Sequence, residues 1–205
     1  MLRFDYSTEK KIAKGPAIFI DRDGVINCRR PDDYVLDLSQ FVFVPGIRAA
    51  LKQIASLGLP LIVISNQAAV GKGLLEPARL QEITERMRQI LVEDGASLTA
   101  AYYCPHRQDE DCACRKPRPG LLRQAAVDFG VDLERSVFVG DSESDVQAAR
   151  AVGVSPILFG SSLRNIGATE RLSTASKAEE LFDVVTRCLH QAALPTRRAP
   201  IAATP

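Results

Sequence analysis

The chain has 205 residues, 46% of them hydrophobic and 25% charged, which suits one globular domain with a sizeable core. With 26 Lys and Arg against 25 Asp and Glu the net charge is +1, so the footprint of a nucleic-acid binder or polybasic membrane anchor is missing. The longest apolar stretch, Leu57 to Ile64, is too short to span a membrane, and Met1 to Lys14 has no apolar signal region, so a cytoplasmic protein is expected.

In chain order, residues 1–15 read as an N-terminal extension, 16–191 as the domain and 192–205 as a disordered tail of Ala, Pro, Thr and Arg. Pro16 to Ile20 is a short apolar run of the kind buried on both faces of a parallel sheet. Ile47, Leu51 and Ile54 then share a helix face, stopped by Gly58. Pro60 to Ile64 reads as the second strand. Pro77 opens a helix with a stripe of Leu80, Ile83, Met87 and Ile90, ended by Gly95. Ala100 to Tyr103 is a third strand, and Leu122, Ala125, Ala126 and Phe129 form a helix stripe ended by Gly130. Ser136 to Val139 is a fourth strand, followed by a stripe of Val146, Ala149 and Val152 and a stop at Gly153. Val154 to Phe159 is the last clear strand, and Pro156 suggests an edge position. From about Ser161 the pattern weakens until Glu179 to Leu189, a final helix. This alternation gives a doubly wound α/β sandwich, a fold that carries ligands beyond the carboxyl ends of its strands near the switch point.

The chemistry-bearing residues gather at those ends. Asp21-Arg22-Asp23-Gly24 closes the first strand with two carboxylates and a glycine turn. Gly140-Asp141 closes the fourth, where Asp141 or Ser142 could instead cap the next helix, a structural reading open to Asp145 as well. Asp21, Asp23 and Asp141 converging at one sheet edge would repel unless a cation sat among them, and a hard ion such as magnesium fits. Ser65-Asn66-Gln67 puts uncharged donors after the second strand. Arg115-Lys116 enters a helix as a basic knot able to cradle phosphate oxygens. Of five cysteines and two histidines, Cys104, His106, Cys112 and Cys114 fall close together; Cys28, Cys188 and His190 are scattered and read as bystanders. The four make a closed set of soft ligands for a structural zinc that would pin the loop leading into Arg115 and Lys116.

These motifs resemble those of the haloacid dehalogenase superfamily of aspartate-nucleophile phosphatases, all four in order: Asp21 to Gly24, Ser65, Lys116, and Gly140-Asp141 with Asp145. Asp21 to Asn27, Tyr34-Val35, Ser65 to Gln67, Tyr102 to His106 and Cys112 to Pro117 resemble most the branch of the heptose-bisphosphate and histidinol-phosphate phosphatases. The resemblance runs from about Pro16 to Phe159. It implies an aspartyl-phosphate mechanism with Asp21 as nucleophile, Asp23 as general acid and base, and Ser65 and Lys116 stabilising the phosphoryl group. Magnesium would sit on Asp21, the Asp23 main-chain carbonyl and Asp141, while Asn66, Gln67 and Arg115 would meet the rest of the substrate. Ser142, where the heptose enzymes often carry a basic residue, and Phe159 to Ser162, where they tend to carry Thr-Gly-Lys, are departures that bear on the sugar rather than the chemistry.

With only about forty residues between Asp23 and Ser65 there is no large cap domain, and the cysteine loop and the Asn27 to Phe43 loop would wall an open site. The expected protein is a monomeric phosphatase of a small sugar phosphate, foremost the 7-phosphate of D-glycero-D-manno-heptose 1,7-bisphosphate, with no nucleic-acid or membrane partner. Histidinol phosphate is the alternative substrate. A receiver-like signalling module would carry its acceptor on the third strand instead of the first, and a zinc-stabilised interaction module would not need the intact acidic set.

Overall fold

The computed structural model describes residues 1–7, 15–30, 34–160 and 173–193. Its centre is a seven-stranded sheet made of β1 (Leu2–Asp5), β2 (Ile18–Ile20), β3 (Leu61–Asn66), β4 (Ala100–Cys104), β5 (Val137–Gly140), β6 (Ser155–Phe159) and β7 (Ser173–Ala175). The spatial order is β1-β4-β3-β2-β5-β6-β7, parallel throughout except for β1, which runs antiparallel to β4. From β2 the chain winds outward to β3 and β4, then crosses back to β5 on the other side of β2. The winding reverses at β2, and the crevice expected of such a switch point opens above β2 and β5.

Alternation along each strand sends side chains into two separate cores. Ile18, Ile20, Leu61, Val63, Ala101 and Tyr103 face one layer; Phe19, Ile62, Ile64, Ala100, Tyr102 and Phe138 face the other. The first layer is covered by α1 (Ile47–Ala55), α3 (Pro77–Glu93) and α6 (Ala178–Ala193) through residues such as Leu51, Ile83, Leu181 and Val185. The second is covered by α4 (Gly120–Phe129) and α5 (Glu143–Arg150) through Leu122, Ala125, Phe129 and Ala149. Strands apolar on both faces and helices apolar on one are what two such layers require. A four-residue helix, α2 (Ala68–Gly71), follows β3 directly.

Three features depart from the sequence expectation. The segment before Pro16 begins with a strand, β1, whose Leu2 and Phe4 pack on the first core. Its Arg3 lies over the rings of Tyr102 and Phe129 and pairs with Asp128 on the opposite side. Second, β6 is not an edge: β7 pairs with it from Ile157 onward, beyond Pro156, so the proline's missing N–H is not asked for there. Third, Ile90 is half-buried, and Leu91 is the residue that α3 buries in that turn. The expected tail and the weak stretch after Ser161 lie outside the described residues, apart from β7 and the end of α6, which runs on to Ala193. Among the described residues no helix is long and apolar enough to cross a membrane.

Candidate active site

Parallel register lines up the carboxyl ends that carry the polar residues. Ile20 pairs with Val139 and Val63, and the Asp21 N–H donates to the Val139 carbonyl at 2.8 Å, which fixes Asp21 beside the end of β5. Asp21, Asp141 and Asp145 are all buried, and one carboxylate oxygen from each lies within 4.8 Å of the others. Two glycines make the convergence possible. Gly24, at φ +97°, lies so close to Asp141 that a Cβ there would fall on its carboxylate, and a Cβ on Gly140 would collide with the Asp145 side chain.

Lys116 is the internal counter-ion. Its Nζ is 2.9 Å from Asp21 Oδ1 and 2.6 Å from Asp145 Oδ1, and it donates to the Ile64 carbonyl at 2.9 Å. Burial works against its charge, but Asp145 and Asp21 outweigh that and hold its pKa above the ordinary value. Asp145 fills both roles its motif allowed. Its Oδ2 accepts from the Asp141 and Ser142 N–H groups and the Ser142 hydroxyl, closing a capping box on α5, while Oδ1 faces Lys116.

The edge remains short of positive charge. Burial pushes Asp21 up to about 6, with Asp145 and Asp23 adding and Lys116 opposing. Burial and then Asp21 push Asp141 up to about 7, although the Arg29 guanidinium stands 2.8 Å from its Oδ1. Three carboxylates held by one lysine and one half-exposed arginine make a hard oxygen donor set that fits a divalent cation such as magnesium.

Asp23 points elsewhere. Its Oδ1 accepts from Arg22 Nη2 at 2.9 Å and from Asn27 Nδ2 at 2.9 Å; its Oδ2 accepts from Gln67 Nε2 at 2.6 Å and from Arg22 Nη2 at 3.0 Å. Burial opposes ionisation, yet the Arg22 charge and the hydrogen bonds from Asn27, Arg22 and Gln67 win and hold the carboxyl below its ordinary value. Arg22 itself is 1% exposed, lies over the Tyr103 ring and donates to Gln67 Oε1 at 3.0 Å.

The uncharged donors divide between two tasks. Ser65 is buried at the end of β3, where its hydroxyl accepts from Gln67. Asn66 grips the basic loop: its Oδ1 accepts from the Lys116 N–H and its Nδ2 donates to the Lys116 carbonyl, each at 3.1 Å. Gln67 is buried, with its amide taken up by Asp23, Arg22 and Ser65. Asn66, Arg115 and Lys116 line a pocket of about 380 Å³ together with Arg107, Arg118 and Ser144.

The cysteine loop forms the wall beside that pocket. Cys104, His106, Cys112 and Cys114 offer one ligand atom each within a single cluster. Their sulfur atoms lie 3.4 to 3.7 Å apart, and His106 Nδ1 is 3.2 Å from Cys114 Sγ and 3.5 Å from Cys104 Sγ. Ligands about 2.3 Å from a tetrahedral ion sit about 3.8 Å from each other, so the cluster is of a size to hold one metal. The loop is tied to its surroundings by the Gly71 N–H, which donates to the Pro105 carbonyl, and by Arg115, which donates to the His106 carbonyl. Past the end of β2, Asn27 pairs with Phe43 and the Cys28 N–H donates to the Val42 carbonyl. Spacing alone had pointed to neither Arg22 nor Arg29. Each sits in the right stretch of sequence, but the direction of a side chain is a tertiary property.

Residues 113–186 match the HAD-hydrolase-like family model. The D-glycero-beta-D-manno-heptose-1,7-bisphosphate 7-phosphatase of Pseudomonas aeruginosa is 39% identical over 152 residues, covering 73% of this chain and 85% of that protein. The D-glycero-alpha-D-manno-heptose-1,7-bisphosphate 7-phosphatase of Burkholderia mallei is 37% identical, covering 71% and 80%. Among solved structures, the D,D-heptose 1,7-bisphosphate phosphatase from B. bronchiseptica, complexed with magnesium and phosphate, superposes with a TM-score of 0.79 at 30% identity, covering 84% of this chain and 98% of the other. With the aspartates of its strand ends and the loop lysine Lys116 assembled at one sheet edge, the chain is a phosphatase of the haloacid dehalogenase-like family and belongs with the heptose-1,7-bisphosphate 7-phosphatases.

Proposed function

We propose that this enzyme removes the 7-phosphate of D-glycero-D-manno-heptose 1,7-bisphosphate, in the cytoplasm and through an aspartyl-phosphate on Asp21. The carrying observation is Asp21 itself, buried at the switch point with Lys116 Nζ 2.9 Å from Oδ1 and Asp141 alongside. Oδ1 also accepts from the Arg22 N–H at 2.8 Å, so Oδ2 is the oxygen we assign to attack. As the Oδ2–P bond forms, the bond from phosphorus to the sugar oxygen breaks, and that oxygen takes a proton from Asp23. Water then adds to phosphorus, gives its proton back to Asp23, and the P–Oδ2 bond breaks to release inorganic phosphate. Asp23 is set here as the carboxylate that the second step needs; a phosphate dianion arriving beside it raises its proton affinity for the first.

Magnesium held by the Asp21 and Asp141 carboxylates and the Asp23 main-chain carbonyl would neutralise the phosphoryl oxygens against the anionic nucleophile. Ser65 and Lys116 would stabilise the transferring phosphoryl, and Asn66 and Arg115 face the pocket where the remainder of the substrate would lie. Cys104, His106, Cys112 and Cys114 would take zinc as a structural ion, since four protein ligands leave no open position for substrate.

The test is phosphate release from the α and β anomers of the heptose bisphosphate and from histidinol phosphate, with and without magnesium. Release from a heptose bisphosphate only when magnesium is present is the expected result. Turnover of histidinol phosphate alone would overturn the substrate, and none from any ester would overturn the reading.

A further inference from the structure

Gln67 was expected to meet substrate, yet it is 2% exposed and its amide hydrogen bonds lead inward. Its Nε2 donates to Asp23 Oδ2 at 2.6 Å and to Ser65 Oγ at 3.3 Å, while its Oε1 accepts from Arg22 Nη2 at 3.0 Å. The same Arg22 nitrogen bridges both Asp23 oxygens. The carboxylate plane is therefore defined from two sides: Arg22 and Asn27 on Oδ1, Gln67 and Arg22 on Oδ2.

The brace is rigid at its root. Gln67's own N–H donates to the Cys104 carbonyl at 2.7 Å, anchoring it to β4, and Arg22 lies over Tyr103, whose hydroxyl accepts from Thr84 of α3. A buried side chain whose amide is shared among Arg22, Ser65 and the Asp23 carboxylate is held from inside the site. It sets where that carboxylate can stand.

We propose that Gln67, backed by Arg22, is a positioning residue that orients the Asp23 carboxyl for proton transfer to the leaving oxygen. This rests on Asp23 being the acid, as proposed above. A misplacement of about 1 Å at a reacting group can cost on the order of 10²-fold, so loss of the brace is felt in the step that uses the acid.

The experiment compares two leaving groups. A sugar phosphate leaves as an alkoxide and needs the proton; p-nitrophenyl phosphate leaves as a stable phenolate and does not. Their kcat/KM values report formation of the phosphoenzyme, before the base step intrudes. Gln67→Met should lower kcat/KM for the sugar phosphate by about tenfold or more while changing the aryl phosphate by less than about threefold. In an Asp23→Asn background Gln67→Met should cost nothing further on the sugar phosphate, because the brace has no acid left to hold. Equal losses on both substrates, or a full additional loss in that background, would overturn the proposal in favour of a structural role. If Asp23→Asn itself shows no dependence on leaving group, it is the acid assignment that fails. Should Gln67→Met not fold, as judged by thermal unfolding, Gln67→Asn keeps the amide but is one methylene too short to reach Asp23, and is judged by the same comparison.

Discussion

Arg29 Nη2 stands 2.8 Å from Asp141 Oδ1, so a half-exposed guanidinium pairs with the one carboxylate of the acidic edge that Lys116 does not contact. The magnesium proposed to bind through the Asp141 carboxylate would compete with this arginine for it. Arg29→Gln should therefore bind magnesium more tightly than the parent, by roughly fivefold to tenfold for one unit of positive charge removed from a partly exposed site. Calorimetric titration checks this; an unchanged affinity would show that Arg29 does not compete with the ion, and a weaker one that it supports it.

Acidity should set the strength of the same ion. Asp21 and Asp141 are held up to about 6 and about 7, above the values they would have in the unfolded chain. Their contribution to the stability of the metal-free protein is thus present at low pH and is lost as pH rises through those two values. Magnesium held by these two carboxylates, as proposed, would work in the opposite sense, because it would need both groups ionised. Its effect on thermal unfolding should be larger at about pH 8 than at about pH 5.5, and an equal effect at both would remove these two residues as its ligands.

Lys116 carries a structural burden besides the phosphoryl-stabilising role proposed for it. Lys116→Met leaves Asp21 and Asp145 buried without their shared cation, and should destabilise the fold by on the order of 3 kcal/mol. Urea unfolding measures the loss, which should shrink as the pH is lowered and Asp21 takes up a proton. Activity should disappear at any pH. Asp21→Asn, by contrast, should stay folded and be inactive, because an amide cannot attack phosphorus.

The two metals should part under chelation. Purified protein should contain one zinc per chain, and mild EDTA followed by magnesium should restore activity, since thiolates release zinc slowly and carboxylates exchange magnesium readily. Cys112→Ser should loosen the loop and raise KM through Arg115, without rescue by magnesium. Elemental analysis finding no zinc, or full activity in a zinc-free Cys112→Ser variant, would remove the structural role.

Much of this was legible from residue order because the central strands are apolar on both faces, a pattern few other elements share. β1 escaped notice since four residues alternating Leu2, Arg3, Phe4, Asp5 look like any charged terminus until Tyr102 and Phe129 provide a surface for Arg3. The edge inferred from Pro156 failed because its partner strand starts one residue later. At the site, the residues that follow strands were found by position. Their orientation was not: Asn66 and Gln67 are neighbours with the same functional group, yet one turns to the basic loop and the other to Asp23. That choice is made by Cys104, Arg22 and Lys116, which come from three other parts of the chain.

Asn66 clasps both backbone groups of Lys116 across fifty positions of sequence, while Cys104 closes the other end of the same stretch inside the sheet. The segment between those two fixtures is in effect a cassette. Its interior holds His106, Cys112 and Cys114 and borders the pocket through Arg107, Cys112 and Arg115, so side chains between the cysteines can differ while the lysine is delivered to the same spot beside Asp21. Transplanting 105–115 between related enzymes should carry ester preference with it, and Asn66 is the residue such a graft must leave alone.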